Sequence, residues 1–149
     1  MSDKDKALAE NRKARFNYHI EETFEVGIVL TGTEVKSCRA GKANLTDAYA
    51  AFRGGELFIQ QLQISEYSHG NRENHLPMRT RKLLMHKGEL LKLLGRLQTG
   101  ESFVPLKMYI KNRRVKLLMG LAKGKKQHDK RQDIKKREAQ REIQRGGRR

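Results

Sequence analysis

Ser102-Phe103-Val104-Pro105-Leu106-Lys107-Met108-Tyr109-Ile110 and Val115-Lys116-Leu117-Leu118-Met119-Gly120-Leu121, joined through Lys111-Asn112-Arg113-Arg114, read as two strands and a turn. Val104, Leu106, Met108 and Ile110 fall on alternate positions, as do Val115, Leu117, Met119 and Leu121. Successive strand side chains point to opposite faces, so each segment predicts a half-buried strand and the pair a hairpin with a basic tip. Pro105 has no amide proton to give a ladder, which predicts an edge strand or a bulge there. Lys116 points away from the apolar face of its strand.

Upstream, Tyr18, Ile20, Phe24, Val26, Ile28 and Leu30 repeat the alternation and leave His19, Glu21, Thr23 and Glu25 on the other face. Ala48 to Arg53 and Glu56 to Ile64 flank Gly54-Gly55, a pair suited to the tight hairpin turn that needs positive φ. Thr33 is the expected cap of a short helix that starts with Glu34 and ends at Gly41. Val35 and Cys38 would face the core from it, and Lys36, Arg39 and Lys42 would project outward. Asp5 to Arg15 is rich in helix formers and predicts a short capping helix. Ser65 to Arg81, polar and holding Gly70, Asn71, Asn74 and Pro77, predicts a long surface loop. The stripe of Leu90, Leu91, Leu93, Leu94 and Leu97 predicts a core-packed helix stopped at Gly100. Five or six antiparallel strands with short helices and no βαβ alternation make the chain mainly β. The expected architecture is an antiparallel β-barrel of the oligonucleotide-binding type, with an open α+β sheet as the competitor.

The 149 residues fit one domain, 1–122, and a tail, 123–149. The tail holds 12 Lys and Arg against 4 Asp and Glu, a net of +8, half of the +16 carried by the whole chain. So little apolar surface cannot offset the entropy of ordering a backbone, and the tail is expected to be disordered until a polyanion orders it. Ile134 and Ile143 lie nine apart, half a turn out of phase on a helix, so they form no apolar stripe. A pI near 10.3 favours nucleic acid as partner. The first residues lack the apolar run of a signal peptide, and no stretch approaches the about 20 apolar residues of a membrane span. A cytoplasmic location without membrane contact is expected, and the single Cys38 suits a reducing compartment.

Signals for chemistry are weak. The five histidines are scattered and one cysteine gives no zinc spacing, so neither a metal nor a cofactor is implied. Gly120-Leu-Ala-Lys-Gly124-Lys125-Lys126 is one residue short of a phosphate-binding loop and offers Lys126 where a hydroxyl belongs. Glu21, Glu22 and Glu25 lie on one segment rather than around a cleft. The chain reads as a binding protein and not as an enzyme. With few aromatics for stacking, a folded RNA contacted through phosphates and shape is the better-supported ligand.

Three stretches resemble a known family. They are Gly32-Thr33-Glu34-Val35-Lys36-Ser37-Cys38-Arg39-Ala40-Gly41-Lys42-Ala43-Asn44-Leu45, Arg79-Thr80-Arg81-Lys82-Leu83-Leu84, and the run from Gly120 through Gly124-Lys125-Lys126-Gln127-His128-Asp129-Lys130 to Arg131. In this order they resemble the bacterial small protein B family, the SsrA-binding proteins. The resemblance implies a barrel that grips the transfer-RNA-like domain of transfer-messenger RNA and brings it to stalled ribosomes for rescue by trans-translation. It implies a tail that enters the empty message channel near the decoding centre and turns helical there. The family positions used to hold RNA fall on Glu25, Leu84 and Lys116, and Lys36, Arg39, Lys42 and Asn44 join them as candidate RNA contacts. Gly124, Lys125, Lys126, His128, Asp129, Lys130 and Arg131 match the tail motif that engages the ribosome. A protein of this kind is expected to be monomeric when free.

Overall fold

The computed structural model describes residues 7–68 and 74–124. Its strands are β1 (Ala7–Glu10), β2 (Tyr18–Ile28), β3 (Ala43–Asn44), β4 (Tyr49–Arg53), β5 (Glu56–Gln60), β6 (Gln63–Ile64), β7 (Arg81–Leu84), β8 (Ser102–Lys111) and β9 (Arg114–Gly124). The helices are α1 (Ala14–Asn17), α2 (Gly32–Arg39) and α3 (Lys87–Gln98). Seven strands form one antiparallel sheet in the order β1-β8-β9-β2-β7-β5-β4, and β3 pairs with β6. The sheet rolls up until β4, at one edge, returns against β8 near the other. This is the mainly β, oligonucleotide-binding-type barrel expected from the strand pattern.

The alternation in β2, β8 and β9 becomes a core of Phe24, Val26, Ile28, Phe103, Met108, Leu117, Met119 and Leu121, closed by Leu57 and Ile59 of β5 and Leu83 of β7. Phe24 and Phe103 meet edge to face at 5.8 Å between centroids, the arrangement their ring quadrupoles favour. The predicted irregularity at Pro105 is a bulge: the β8–β9 register shifts between Pro105 and Lys107. A second shift between Ile20 and Glu22 accounts for the polar Glu22 within an otherwise apolar alternation.

The amino-terminal segment departs from expectation. Ala7–Glu10 is a strand on β8, not a helix, and the helix shrinks to Ala14–Asn17. Helix propensity there is worth a few tenths of a kcal/mol per residue. Pairing with β8 while packing Leu8 and Ala9 on the core outweighs it. Asn11 then turns the chain, its amide donating to the Leu45 and Pro105 carbonyls at 3.2 and 3.0 Å. α3 also presents its stripe unevenly: Leu93 is fully buried, Leu90 and Leu97 pack on the core, and Leu91 faces solvent.

α2 is capped by Thr31, not Thr33. Thr31 and Glu34 form a reciprocal capping box. At the other end Lys42 N–H donates to Ser37 O and Gly41 N–H to Cys38 O, with Gly41 at φ +77°, the Schellman closure expected of a glycine there. Glu34 does more than cap. Its carboxylate and the guanidinium of Arg81 are both fully buried and paired, and Arg79 adds a second ion pair at 2.5 Å. Arg81 also donates to the carbonyls of Leu62 at 2.7 Å and Pro77 at 3.1 Å. The Ser65 to Arg81 segment is therefore not simply surface. His75 is buried, with Nε2 2.8 Å from the Ile64 carbonyl. Because a carbonyl only accepts, Nε2 carries the proton, and Nδ1 accepts from the Thr33 hydroxyl at 2.9 Å.

Burial works to raise the Glu34 carboxyl pKa. Hydrogen bonds from Arg79, the Thr31 amide and Arg81, with the charge of Arg81, outweigh burial and hold it below the ordinary carboxylate value. A carboxyl depressed in the folded state stabilises above its unfolded pKa of about 4.3, and that contribution is lost as pH falls through the folded value. Glu34→Gln should cost about 3 kcal/mol or more, since it leaves Arg81 buried without a counter-charge. Urea titrations across pH should also show the variant losing less stability than the parent below about pH 4.3.

Candidate nucleic-acid interface

The register of four strands builds the site. Tyr109 of β8 stands opposite Lys116 of β9, Lys116 opposite Gly27 of β2, and Gly27 opposite Leu84 of β7. The four residues make one row across the outer face of the sheet. Gly27 is its low point: a Cβ there would sit 3.3 Å from Leu84 Cβ and 3.6 Å from Lys116 Nζ, so these two side chains close over bare backbone. A glycine inside a strand marks such an approach. Leu84 is nonetheless 49% exposed and Val29, just past β2, is 46% exposed, so the row has an apolar end open to solvent.

Glu25 lies two residues before Gly27 and shares its face. Its carboxylate reaches across β9 to β8, where the Tyr109 hydroxyl donates to it and Lys111 Nζ lies 3.2 Å away. The Tyr109 hydrogen bond does most to lower the Glu25 pKa. Burial opposes it, and Lys111 and the charge of Lys116 add to the lowering. Burial and the neighbouring carboxylate push the Tyr109 phenol up, so it stays a donor. Glu25 is thus an ionised acceptor with a fixed direction.

Glu25, Leu84 and Lys116, read from separate stretches of sequence, come together in this patch. Arg113, Arg114 and Lys116, with Gly27, Val29 and Leu84, line a groove of about 290 Å³ beside it. Val35 of α2 closes the groove. The other candidates lie on α2 and on the segment that follows it into β3. Lys36, Arg39, Lys42 and Asn44 are all exposed, and the Lys36 ammonium lies 5.6 Å from the centre of the Tyr67 ring. Asn44 spends its carbonyl oxygen on the Thr46 amide at 2.9 Å, leaving its amino group for a partner. Gly124 belongs to β9, paired with Tyr18, and Lys123 beside it pairs with His19. Lys125, Lys126, His128, Asp129, Lys130 and Arg131, and the expected order of the tail, lie outside the described residues.

Tyr109 and Gly27 were missed as members of this row, although a glycine inside the predicted β2 strand was a signal. Tyr109 had none, because its partner is 84 positions away. Among the described residues, no three His, Cys, Asp or Glu are grouped to hold a metal ion, and no helix is long and apolar enough to cross a membrane. Burial pushes the Cys38 thiol up to about 12, so it is not a nucleophile at neutral pH.

Fold and surface together define a small basic β-barrel protein with a cation-bordered, partly apolar outer face. A sequence model of the SmpB protein family matches residues 8–149. The SsrA-binding protein of Anoxybacillus flavithermus is 56% identical over 141 residues, covering 94% of this chain and 92% of that protein. That of Bacillus subtilis is 55% identical over the same length, with 94% and 90% covered. A chain from a solved structure described as "tmRNA-SmpB: a journey to the center of the bacterial ribosome" is 48% identical with a TM-score of 0.68, covering 85% of this chain and 93% of that one. The chain belongs to the SmpB protein family.

Tyr109→Phe removes the largest contribution to the lowered Glu25 pKa. Carboxyl-carbon titration by NMR should show the Glu25 pKa moving up toward the ordinary value while the fold is kept. An unchanged titration would mean that Lys111 and Lys116 alone hold the carboxylate.

Proposed function

We propose that this chain is a non-catalytic RNA-binding adaptor that binds the transfer-RNA-like domain of transfer-messenger RNA and delivers it to stalled ribosomes. The observation that carries this reading is the four-strand row: a lysine, an open leucine and a directed carboxylate converge on one face of a chain whose relatives are named for binding SsrA. Each member suits RNA differently. Lys116 neutralises a phosphate and releases counterions. Leu84, with Val29, packs against a ribose or base face. Glu25 gains nothing from phosphate, but an ionised acceptor held in place suits a 2′-hydroxyl or a base N–H, the groups that distinguish a folded RNA from bulk polyanion.

Lys36, Arg39, Lys42 and the Asn44 amino group extend the same RNA surface through phosphate contacts. The basic run from Gly124 to Arg131 engages the ribosome, with the rest of the tail in the empty message channel near the decoding centre. His128 is suited there to stacking on a base as well as donating a hydrogen bond. A protein acting so works in the cytoplasm, where ribosomes are.

Lys116→Ala should weaken binding to the transfer-RNA-like domain roughly tenfold or more, as expected for a lost charge-assisted contact of about 1.5 to 3 kcal/mol. The slope of log affinity against log salt should shrink by about one. Truncation after Gly124 should leave a folded body that keeps this affinity and no longer supports tagging of stalled chains. If bulk RNA competes as well as transfer-messenger RNA across a salt series, the adaptor reading gives way to that of a general RNA chaperone.

A further inference from the structure

The turn between β8 and β9 puts Asn112 at φ 51° and Arg113 at φ 64°. Two successive positive φ values match the twist of a tight hairpin, and glycine is the residue that adopts the second without crowding its own Cβ. The β4–β5 hairpin shows the unstrained solution, Gly54 and Gly55 at φ 61° and 80°. The chain thus closes two hairpins with the same backbone sign, once with glycines and once with an arginine held in a conformation that disfavours it. Strain of this kind persists where the side chain has a use.

Inside the fold that side chain has none. Arg113 is exposed and, among the described residues, makes no side-chain hydrogen bond or ion pair. It lines the groove beside the four-strand row together with Arg114 and Lys116. The nearby carboxylate, Glu25, is already committed to Tyr109 and Lys111. Three cations therefore border one groove with no carboxylate bonded to them, and its floor holds the open leucine. A guanidinium at the hairpin tip offers a planar fork that grips two phosphate oxygens at once.

We propose that Arg113 is a phosphate-binding residue that extends the RNA interface from Lys116 beyond the sheet to the tip of the hairpin. The proposal rests on the RNA-binding reading of the four-strand row and adds a contact at a position where the backbone favours glycine.

The test compares Arg113→Gly, Arg113→Lys, Arg53→Ala and Lys116→Ala, each measured for thermal melting and for binding to the transfer-RNA-like domain of transfer-messenger RNA over a salt series. Arg113→Gly should melt above the parent, since it relieves the positive-φ strain, yet bind several-fold more weakly with a salt slope smaller by about one. Arg113→Lys should keep the slope. Arg53→Ala removes the same charge from the other hairpin and should change neither affinity nor slope. Parent-like binding by Arg113→Gly, a lower melting temperature for it, or an equal loss in Arg53→Ala overturns the Arg113 assignment. Parent-like binding by Lys116→Ala would sink the interface reading itself, so the two failures are distinguishable.

Discussion

One buried carboxylate sets the geometry of half the barrel. Glu34 leaves water entirely, and so does Arg81, at a desolvation cost that their attraction alone does not repay. The arrangement persists because every remaining donor has a destination: Arg81 reaches the carbonyls of Leu62 and Pro77, and Arg79 reaches Glu34 and the Val29 carbonyl at 3.4 Å. The start of α2, the exit of β2, the approach to β6, the loop before β7 and β7 itself are thereby tied to one point. In some proteins buried ion pairs of this kind fix a unique structure more than they add stability. Here uniqueness is what the surface requires, since the rotation of α2 decides that Lys36 and Arg39 face solvent while Cys38 is sealed inside.

The same anchor positions β7, and β7 supplies Leu84. A row spread over four strands is only as well defined as the lateral packing of those strands, and β2 within it carries a glycine with no side chain to hold its neighbours apart. Close packing does that instead. Leu84 and Lys116 settle over Gly27, and the Glu25 carboxylate is drawn across β9 by Tyr109 and Lys111. The result is a shallow surface with an apolar end, a directed acceptor and cations at its border. Such a surface suits the wide, shallow face of folded RNA better than an extended single strand, which would want a file of exposed aromatic rings.

What was legible in the sequence was whatever depends on neighbours along the chain. The alternations of β2, β8 and β9 survive into the fold, as do the Gly54-Gly55 turn, the Gly41 stop and the Pro105 bulge, because period, positive φ and a missing donor are local properties. What was not legible depends on partners brought from afar. Ala7–Glu10 has the composition of a helix and becomes a strand because β8 offers it a ladder. Thr31 and Thr33 are equal as caps until His75 claims the Thr33 hydroxyl. Nothing near Glu34 announces Arg81, 47 positions on, and nothing near Glu25 announces Tyr109. For the interface, the resemblance named Glu25, Leu84 and Lys116, but their convergence on Gly27 is a property of strand register and appears only with the sheet.

On the proposed reading, the last strand also separates two tasks. β9 runs from Arg114, at the basic hairpin tip, through Lys116 in the four-strand row, to Gly124, paired with Tyr18 at the opposite end of β2. Gly124 lies eight positions beyond Lys116, which at about 3.3 Å per residue sets them roughly 26 Å apart along a strand paired on both sides as far as Ala122. Gly124, the last described residue, therefore lies at the end of β9 far from Lys116, and a central strand is a poor place to absorb bending. On the proposed reading, the protein is a spacer of fixed length between two RNAs, one gripped at the hairpin end and one met by the chain leaving the other. An insertion of two residues into the turn at Asn112 would leave that distance intact, whereas any change within β9 that slips its pairing by one would turn Lys116 into the core. The strand is thus constrained twice, by the core it fills and by the span it sets.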